Sequence, residues 1–225
     1  MISALRKYIF LLRSIPKTLI FNMHYFPMKV AMKLPVLVSY NTFLESLGGK
    51  VVLNGKMELR RGLIKIGFGD VAVFDKYRSR TIWKNKGLVI FNGRADIGHG
   101  SKVAVGQNGI VSFGKNFQIT AESEIICRKK IAFGDNCLLS WEVLLIDSDF
   151  HNIYDQDKRL LNPDEEILIG NNVWIGARGL VKKGISLAHR TIISAQSNVV
   201  KSIAIPNQIW GGNPAKLLRE NCFRH

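Results

Sequence analysis

Cysteine is scarce in this sequence and shows no pairing pattern. The 225 residues include three cysteines, Cys127, Cys137 and Cys222, and no two of them form a Cys-x-x-Cys pair. An odd number without that spacing argues against a disulfide framework and is typical of a reducing compartment such as the cytoplasm. We therefore expect the three side chains to be small buried hydrophobic groups.

Acidic residues are also few, which leaves a strongly basic chain. Thirty-two Lys and Arg against 17 Asp and Glu give a net charge of +15, while 47% hydrophobic residues exclude wholesale disorder. Such a charge indicates an anionic partner, namely a membrane surface, a nucleic acid or a phosphorylated cofactor. Because zinc-finger spacing, an RNA-binding aromatic motif and a helix-turn-helix are all absent from the sequence, we expect no nucleic-acid partner.

The N-terminal segment, residues 1–48, has no acidic residue before Glu45 and no long apolar run. The apolar run Tyr8 to Leu12 ends at Arg13, which is far short of the ~20 residues of a transmembrane helix and too short for a signal-peptide core. Large apolar residues alternate with six cations: Arg6, Lys7, Arg13, Lys17, Lys29 and Lys33. This pattern predicts a basic, amphipathic, helical segment that either lies at an anionic membrane surface or packs against the domain.

A six-residue step runs through the remaining sequence. Every sixth residue from position 169 is aliphatic: Ile169, Ile175, Val181, Leu187, Ile193, Val199 and Ile205. The step continues upstream at Phe133, Leu139 and Leu145, and in a shifted frame at Phe113, Ile119 and Ile125. Neither a helix nor an ordinary strand has this period. It predicts an all-β triangular solenoid over residues 49–210, with the aliphatic residue inside and a small residue at each turn.

Two stretches depart from the step. Residues 147–166 contain no aliphatic series in frame, which predicts a loop that projects from the solenoid and carries function. Residues 211–225 begin Gly211-Gly212-Asn213-Pro214. Asn as an N-cap and Pro at the first helical position predict a short C-terminal helix that caps the last coil.

Three segments resemble the hexapeptide-repeat acetyltransferases. They are Val173-Trp174-Ile175-Gly176, then Ile193 to Lys201, then Gly212-Asn213-Pro214-Ala215-Lys216. The element Asp147-Ser148-Asp149-Phe150-His151 is similar to that of bacterial capsule and polysaccharide O-acetyltransferases within this group. The resemblance implies a left-handed parallel β-helix, a homotrimer, and acetyl-CoA in a groove between neighbouring prisms.

The resemblance also implies roles for particular residues. His151 corresponds to the catalytic base on the projecting loop, and Trp174 to an aromatic residue beside the pantetheine arm. Ala195 matches a position whose backbone meets pantetheine, and Lys201 and Lys216 match cations near the phosphates of coenzyme A. Small-sugar enzymes of the group have an Asn and an Asp on the preceding coils, where this sequence has Thr120-Ala121-Glu122-Ser123 and Cys127-Arg128. This departure argues against a free galactoside as the acceptor.

The residue types fit acyl transfer to a hydroxyl. A neutral imidazole can take the hydroxyl proton, and of the five histidines only His151 lies in the projecting loop. Asp147, Asp149 and Asp155 are near it in sequence, and Asp149 is our choice to orient the ring. A backbone N–H in the Gly176-Ala177 turn can hold the oxyanion, since glycine permits close approach.

These observations predict an acetyl-CoA-dependent O-acetyltransferase acting on a sugar hydroxyl of a bacterial surface polysaccharide or its precursor. We place it in the cytoplasm, with peripheral contact to the inner membrane face through the N-terminal segment. N-acetylation of an amino sugar on a nucleotide remains an alternative, because the same base serves both reactions. A non-catalytic β-helix scaffold is a third reading. We expect no metal, since His99, His151 and His189 are far apart in the sequence.

Overall fold

A computed structural model describes residues 2–54 and 57–224. In this part of the chain most residues lie in or between short β-strands, and helices occur near the N-terminus: α1 (Ile2–Tyr25) and α2 (Met28–Ala31). The strands form sheets of nine, seven and six members, and within each sheet almost all neighbours are parallel. The predicted mostly-β chain with parallel sheets is confirmed.

Each sheet takes every third strand of the chain. The first sheet contains β1 (Val36–Val38), β4 (Ile64–Phe68), β7 (Ala95–Gly98), β10 (Phe117–Ile119), β13 (Leu138–Leu139), β16 (Trp174–Ile175), β19 (Ile192–Ile193), β21 (Ile209–Gly211) and β22 (Lys216–Arg219). The second contains β2 (Phe43–Ser46), β5 (Ile82–Asn85), β8 (Lys102–Val105), β11 (Glu124–Cys127), β14 (Leu144–Ile146), β17 (Leu180–Lys182) and β20 (Asn198–Val199). The third contains β3 (Lys50–Leu53), β6 (Leu88–Phe91), β9 (Ile110–Phe113), β12 (Lys130–Phe133), β15 (Ile167–Ile169) and β18 (Ser186–Leu187).

This order makes the chain a three-sided coil whose turns stack by parallel pairing. Trp174, for example, pairs with Leu138 of the coil before it and with Ile192 of the coil after it. We call the turns from the first sheet to the second the first edge, which includes residues 120–123, 140–143, 176–179 and 194–197. The turns from the second sheet to the third are the second edge, which includes residues 128–129, 147–166 and 183–185.

The interior of the coil is a column of aliphatic and aromatic side chains. Residues of the six-residue step, such as Ile175, Val181 and Ile193, are fully buried, and most strands alternate buried with partly exposed positions. The prediction is wrong at its last member, because Ile205 is 61% exposed. Ile203 is buried in its place and bridges to Leu187, so the step shortens after Val199.

Helix α1 covers the open edge of the first strand with a row of polar side chains. Asn22, Thr18 and Ser14 accept hydrogen bonds from the backbone N–H groups of Val36 (3.2 Å), Val38 (3.0 Å) and Tyr40 (3.0 Å). Four residues of helix rise about 6 Å and two residues of strand about 6.6 Å, so the two periods match. The helix therefore takes the place of a missing strand and protects the sheet edge.

The N-terminal segment differs from the prediction in its bounds. Its helical character is confirmed, and one face packs on the domain, as one of the two alternatives proposed. The coil, however, starts with Val36 of β1, so a boundary at residues 48 and 49 is wrong. The reason is that β1 and β2 are held by pairing with β4 and β5, a contact distant in sequence. No helix in the described residues has both the length and the apolar character needed to cross a bilayer.

The predicted C-terminal helix is also wrong. Residues after Gly212 return as β22, which pairs antiparallel with β21. Ala215 N–H donates to the Asn198 carbonyl, and Asn198 N–H donates to that of Gly212. Backbone groups that a helix would use internally are thus committed to the last coil. Leu217 and Leu218 are exposed, so a helix here has no apolar face to bury.

Candidate active site

The projecting loop has the predicted bounds, 147–166, between β14 and β15 on the second edge. Asp147, at its start, is fully buried. Its carboxylate accepts hydrogen bonds from the backbone N–H groups of Arg128 (2.7 Å), Lys129 (2.8 Å) and Lys130 (2.8 Å). Asp147 therefore fixes the base of the loop to the coil below and is not available to orient a catalytic ring.

The Lys183 ammonium holds the two arms of the loop together. It contacts the Asp149 carboxylate at 2.7 Å and donates to the carbonyls of Asn162 (2.9 Å) and Pro163 (3.0 Å). An ammonium has three N–H donors, and all three are used here. Hydrogen bonds first from Lys183 and then from Asn162 lower the pKa of Asp149 below its usual value.

His151 lies at the exposed surface of this loop. The backbone N–H of His151 donates to the Asp149 carbonyl at 2.7 Å, and the backbone carbonyl of His151 accepts from the Asn162 side-chain amide at 2.8 Å. Within the described residues the imidazole ring makes no hydrogen bond, and the Asp149 carboxylate is directed to Lys183 and Asn162. The backbone of His151 is thus fixed while its ring stays available.

Four of the residues predicted to hold the acyl donor lie on or beside the first edge: Trp174, Gly176, Ala177 and Ala195. Trp174 lies on the outer face of the first sheet, with its indole N–H 3.0 Å from the Ser140 hydroxyl. Gly176 lies so close to the next coil that a side-chain carbon on it would be 2.7 Å from the Ala195 nitrogen. Glycine at this turn permits Ala177 and Ala195 to stack one above the other.

A groove of about 380 Å³ runs along these turns. Its lining includes Ala177 and Ala195 together with Trp141, Gln196 and Phe74. Among the hydrogen bonds of the described residues, none uses the N–H of Ala177 or Ala195. The groove therefore offers small side chains, an aromatic wall and a line of free backbone donors, which suits a slender chain with amide carbonyls.

Lys201 and Lys216 do not line this groove. Lys201 lies 5.2 Å above the Trp210 ring after β20, and Lys216 is exposed in β22 opposite Gly211. Both are surface cations near the last coil. The structure thus brings Gly176, Ala177 and Ala195 together, and separates them from His151, which lies on another edge of the same prism.

The sequence analysis predicted Ala177 and Ala195 but not the other groove residues, among them the aromatic Trp141 and Phe74. Trp141 follows the inward Leu139 and the small Ser140, as Ala177 follows Ile175 and Gly176, so the six-residue register predicts that these side chains stack. Phe74 belongs to residues 69–81, an insertion between β4 and β5 on the same edge. No sequence signal places that insertion against coils distant from it in the chain.

Two curated relatives match about half of the chain. The galactoside O-acetyltransferase of Escherichia coli K12 is 31% identical over 122 residues, 54% of this chain and 56% of that protein. The polysialic acid O-acetyltransferase of Escherichia coli O1:K1 is 30% identical over 124 residues, 54% of this chain and 38% of that protein. The relatives of this chain are hexapeptide-repeat acetyltransferases.

The fold agrees with that of a solved relative. The crystal structure of the polySia-specific acetyltransferase NeuO superposes with a TM-score of 0.51 at 23% identity, covering 84% of this chain and 78% of that one. No family model matches the sequence. The chain spans 56% and 38% of the length of the two curated relatives, so the similarity does not extend over either whole protein.

Proposed function

We propose that this protein is an acetyl-CoA-dependent O-acetyltransferase that modifies a sugar hydroxyl of a bacterial surface polysaccharide or its precursor. The named activities of the relatives support acetyl transfer, and the groove at Ala177 and Ala195 supports a slender acyl donor. We take the coil to be left-handed, as the resemblance implies. Its scarce, unpaired cysteines favour a cytoplasmic location.

In the proposed mechanism His151 is the general base. The donor supplies an activated thioester, so transfer needs a proton acceptor and a site for the oxyanion. His151 accepts the proton of the sugar hydroxyl as its oxygen bonds to the acyl carbon. The carbon–sulfur bond then breaks, and the imidazolium returns the proton to the sulfur. The N–H of Ala177, which donates to no acceptor among the described residues, holds the oxyanion.

Other residues position these groups. Lys183 and Asn162 fix the backbone on either side of His151, and Asp149 acts through them, since its carboxylate is bonded to both. Trp141 and Trp174 form aromatic walls for the pantetheine arm. Lys201 and Lys216, on the last coil, are candidates to meet the phosphates of the donor.

One observation carries the proposed site: His151 and the groove lie on different edges of the prism. Because these edges are different corners of one prism, we infer that a single copy does not bring its own His151 to its own groove. A cyclic homotrimer places the second edge of one copy against the first edge of the next, and thereby completes three identical sites.

The direct test is acetyl transfer by the purified chain. We expect thiol release from acetyl-CoA that depends on a polysaccharide acceptor, with an acetyl mass increment in the product. Polysialic acid, a simple galactoside and an amino sugar are suitable acceptors to compare. Thiol release with the amino sugar alone would indicate N-acetylation instead of O-acetylation. No thiol release with any acceptor at saturating donor would contradict the proposal.

The role of His151 has its own variant. His151→Ala should lower turnover by about a hundred- to ten-thousand-fold while donor binding is kept, because only the proton acceptor is lost. His189→Ala is the control for loss of an exposed imidazole elsewhere on the coil, where the ring accepts a hydrogen bond from the Asn171 N–H. A His151→Ala variant with near-normal turnover would remove the residue from the mechanism.

A further inference from the structure

Helix α1 has a second face that the coil does not cover. Its inward face packs on the first strand through Ser14, Thr18 and Phe21, all buried. The remaining arc, about half of the helix circumference, is apolar. Its exposed side chains include Tyr8, Leu11, Leu12, Ile15, Leu19, Ile20 and Met23, and α2 with its flank adds Met28 and Met32. Outward apolar residues on consecutive turns are unusual for a surface helix in water.

Cations border this apolar arc on one side. Arg6 and Arg13 lie on the same flank of the helix and line a cleft of about 250 Å³ with Tyr40 and Tyr77. The Arg13 guanidinium lies 4.1 Å from the centre of the Tyr40 ring, which fixes its position. Two guanidinium groups and two phenols form a donor set that suits a phosphate oxyanion.

We propose that this end of the coil docks on an anionic bilayer. The apolar arc of α1 inserts among the acyl chains, and the cleft between Arg6 and Arg13 receives a lipid phosphate. This docking surface is a property of α1 and the first coil. It goes beyond acetyl transfer and does not depend on it.

Charge argues for a bilayer rather than a second copy of this chain. No acidic residue occurs before Glu45, so a contact between two α1 faces would oppose Arg6 and Arg13 of each copy without any carboxylate of the segment to neutralise them. A bilayer surface supplies that negative charge. Further exposed cations, Lys29, Lys33, Arg60 and Arg61, surround the same end of the molecule.

The geometry also sets the orientation on the membrane. Because α1 takes the position of a strand below β1, its outward face looks along the axis of the coil. β16, which precedes the Ala177 groove, is five steps from β1 in the first sheet. At about 4.8 Å for each step, the groove lies about 24 Å from β1 along the coil, and farther from the outward face of α1. In a cyclic oligomer all copies of α1 would share one end, so several weak contacts would act together.

The test is flotation of the full chain with vesicles of phosphatidylcholine, alone or with phosphatidylglycerol. We expect binding to the anionic vesicles that weakens as salt is raised. Leu12→Glu with Leu19→Glu should weaken it at least about tenfold by placing charge in the inserted arc. Ile205→Glu with Leu218→Glu, two exposed apolar positions at the opposite end, is the matched control and should bind normally.

A second pair of variants tests the cleft. Arg6→Gln with Arg13→Gln should remove most of the preference for anionic vesicles, by roughly tenfold in affinity. Arg159→Gln with Arg219→Gln removes the same charge at exposed positions away from α1 and should not. Circular dichroism and light scattering verify fold and mass for each protein.

Three results would overturn the proposal. Wild-type protein that fails to float with anionic vesicles would end it. Equal losses of vesicle binding in the control variants would show that binding depends on the overall charge of the protein and not on this surface. A drop in oligomeric mass in Leu12→Glu with Leu19→Glu, without vesicle binding by the wild type, would make the face a contact between copies.

Discussion

Lys183 bridges the two arms of the loop that carries the proposed base, His151. All three N–H donors of its ammonium are used. It is a positioning residue in our terms, because it acts through Asp149 and Asn162. The buried Asp147 then fixes the base of the same loop.

We predict that Lys183→Met lowers kcat by about tenfold or more with little change in KM for the donor, because the base is misplaced while the groove is intact. Lys182→Met, the exposed neighbour, is the control. Limited proteolysis should cut residues 147–166 faster in the Lys183 variant. A rise in donor KM with unchanged kcat would instead place Lys183 at the donor.

The same ion pair gives the loop a pH dependence with a defined sign. Since hydrogen bonds from Lys183 lower the pKa of Asp149, the folded loop prefers the carboxylate. The ion pair between Asp149 and Lys183 stabilises the folded loop fully above the usual Asp pKa. This stabilisation is lost as pH falls through the lowered pKa of Asp149. Hydrogen exchange of residues 147–166 should accelerate only below that usual value, and Asp149→Asn should be insensitive there. A transition near neutral pH would exclude Asp149 as its origin.

His99 is a buried residue of a different kind. It is 1% exposed, neither ring nitrogen has a hydrogen-bond partner in the described part of the chain, and burial lowers its pKa. Just below the usual pKa of histidine, His99 is therefore protonated in the unfolded chain but neutral in the folded chain. Stability should be full above about pH 6.5 and fall as pH drops below it. Thermal unfolding across this range should show the loss in the wild type and not in His99→Gln, and an identical loss in both would assign it to another group.

At the scale of elements, α1 takes the place of a strand beside β1 through the side chains of Ser14, Thr18 and Asn22. The contribution of these hydrogen bonds to stability can be tested at Thr18. The Thr18 hydroxyl is bonded to both the N–H and the carbonyl of Val38. Thr18→Val keeps the shape and leaves these groups unpaired, which should cost about 1–3 kcal/mol of unfolding free energy. Thr18→Ser keeps the hydroxyl and should cost clearly less. Denaturant unfolding measures both, and equal losses would show that packing, not hydrogen bonding, holds the helix.

Elements differed in how far the sequence determined them. The six-residue step predicted parallel sheets and the inward residues through Val199, because each inward position is decided locally by one aliphatic side chain and its turn. The step did not predict the two ends of the coil, because pairing between segments distant in sequence determines their structure. There β1 and β2 join the coil through β4 and β5, and β22 folds back on β21. The loop bounds were predictable since an insertion removes the step. Lys183 and Phe74 were not, because their contacts depend on how an insertion folds.

For the whole molecule, the question is whether one chain or two make a site. His151 lies on the second edge, and Ala177 and Ala195 lie on the first. Parallel sheets leave the prism with long outer faces, and cyclic closure buries them symmetrically. We predict a homotrimer, and a monomeric mass by light scattering at micromolar concentration would count against a shared site.

The decisive prediction mixes two inactive chains. His151→Ala lacks the base, and Ala195→Trp fills the groove at an exposed position, so each alone should be inactive. In trimers formed from equal amounts of both, about one interface in four pairs an intact His151 with an intact groove. Co-expressed chains should thus recover about a quarter of normal turnover. Recovery by chains mixed after assembly should be absent, since folded trimers exchange slowly. If co-expression recovers nothing while the mixed mass is trimeric, each chain carries its own site and the loop must reach the first edge of its own prism.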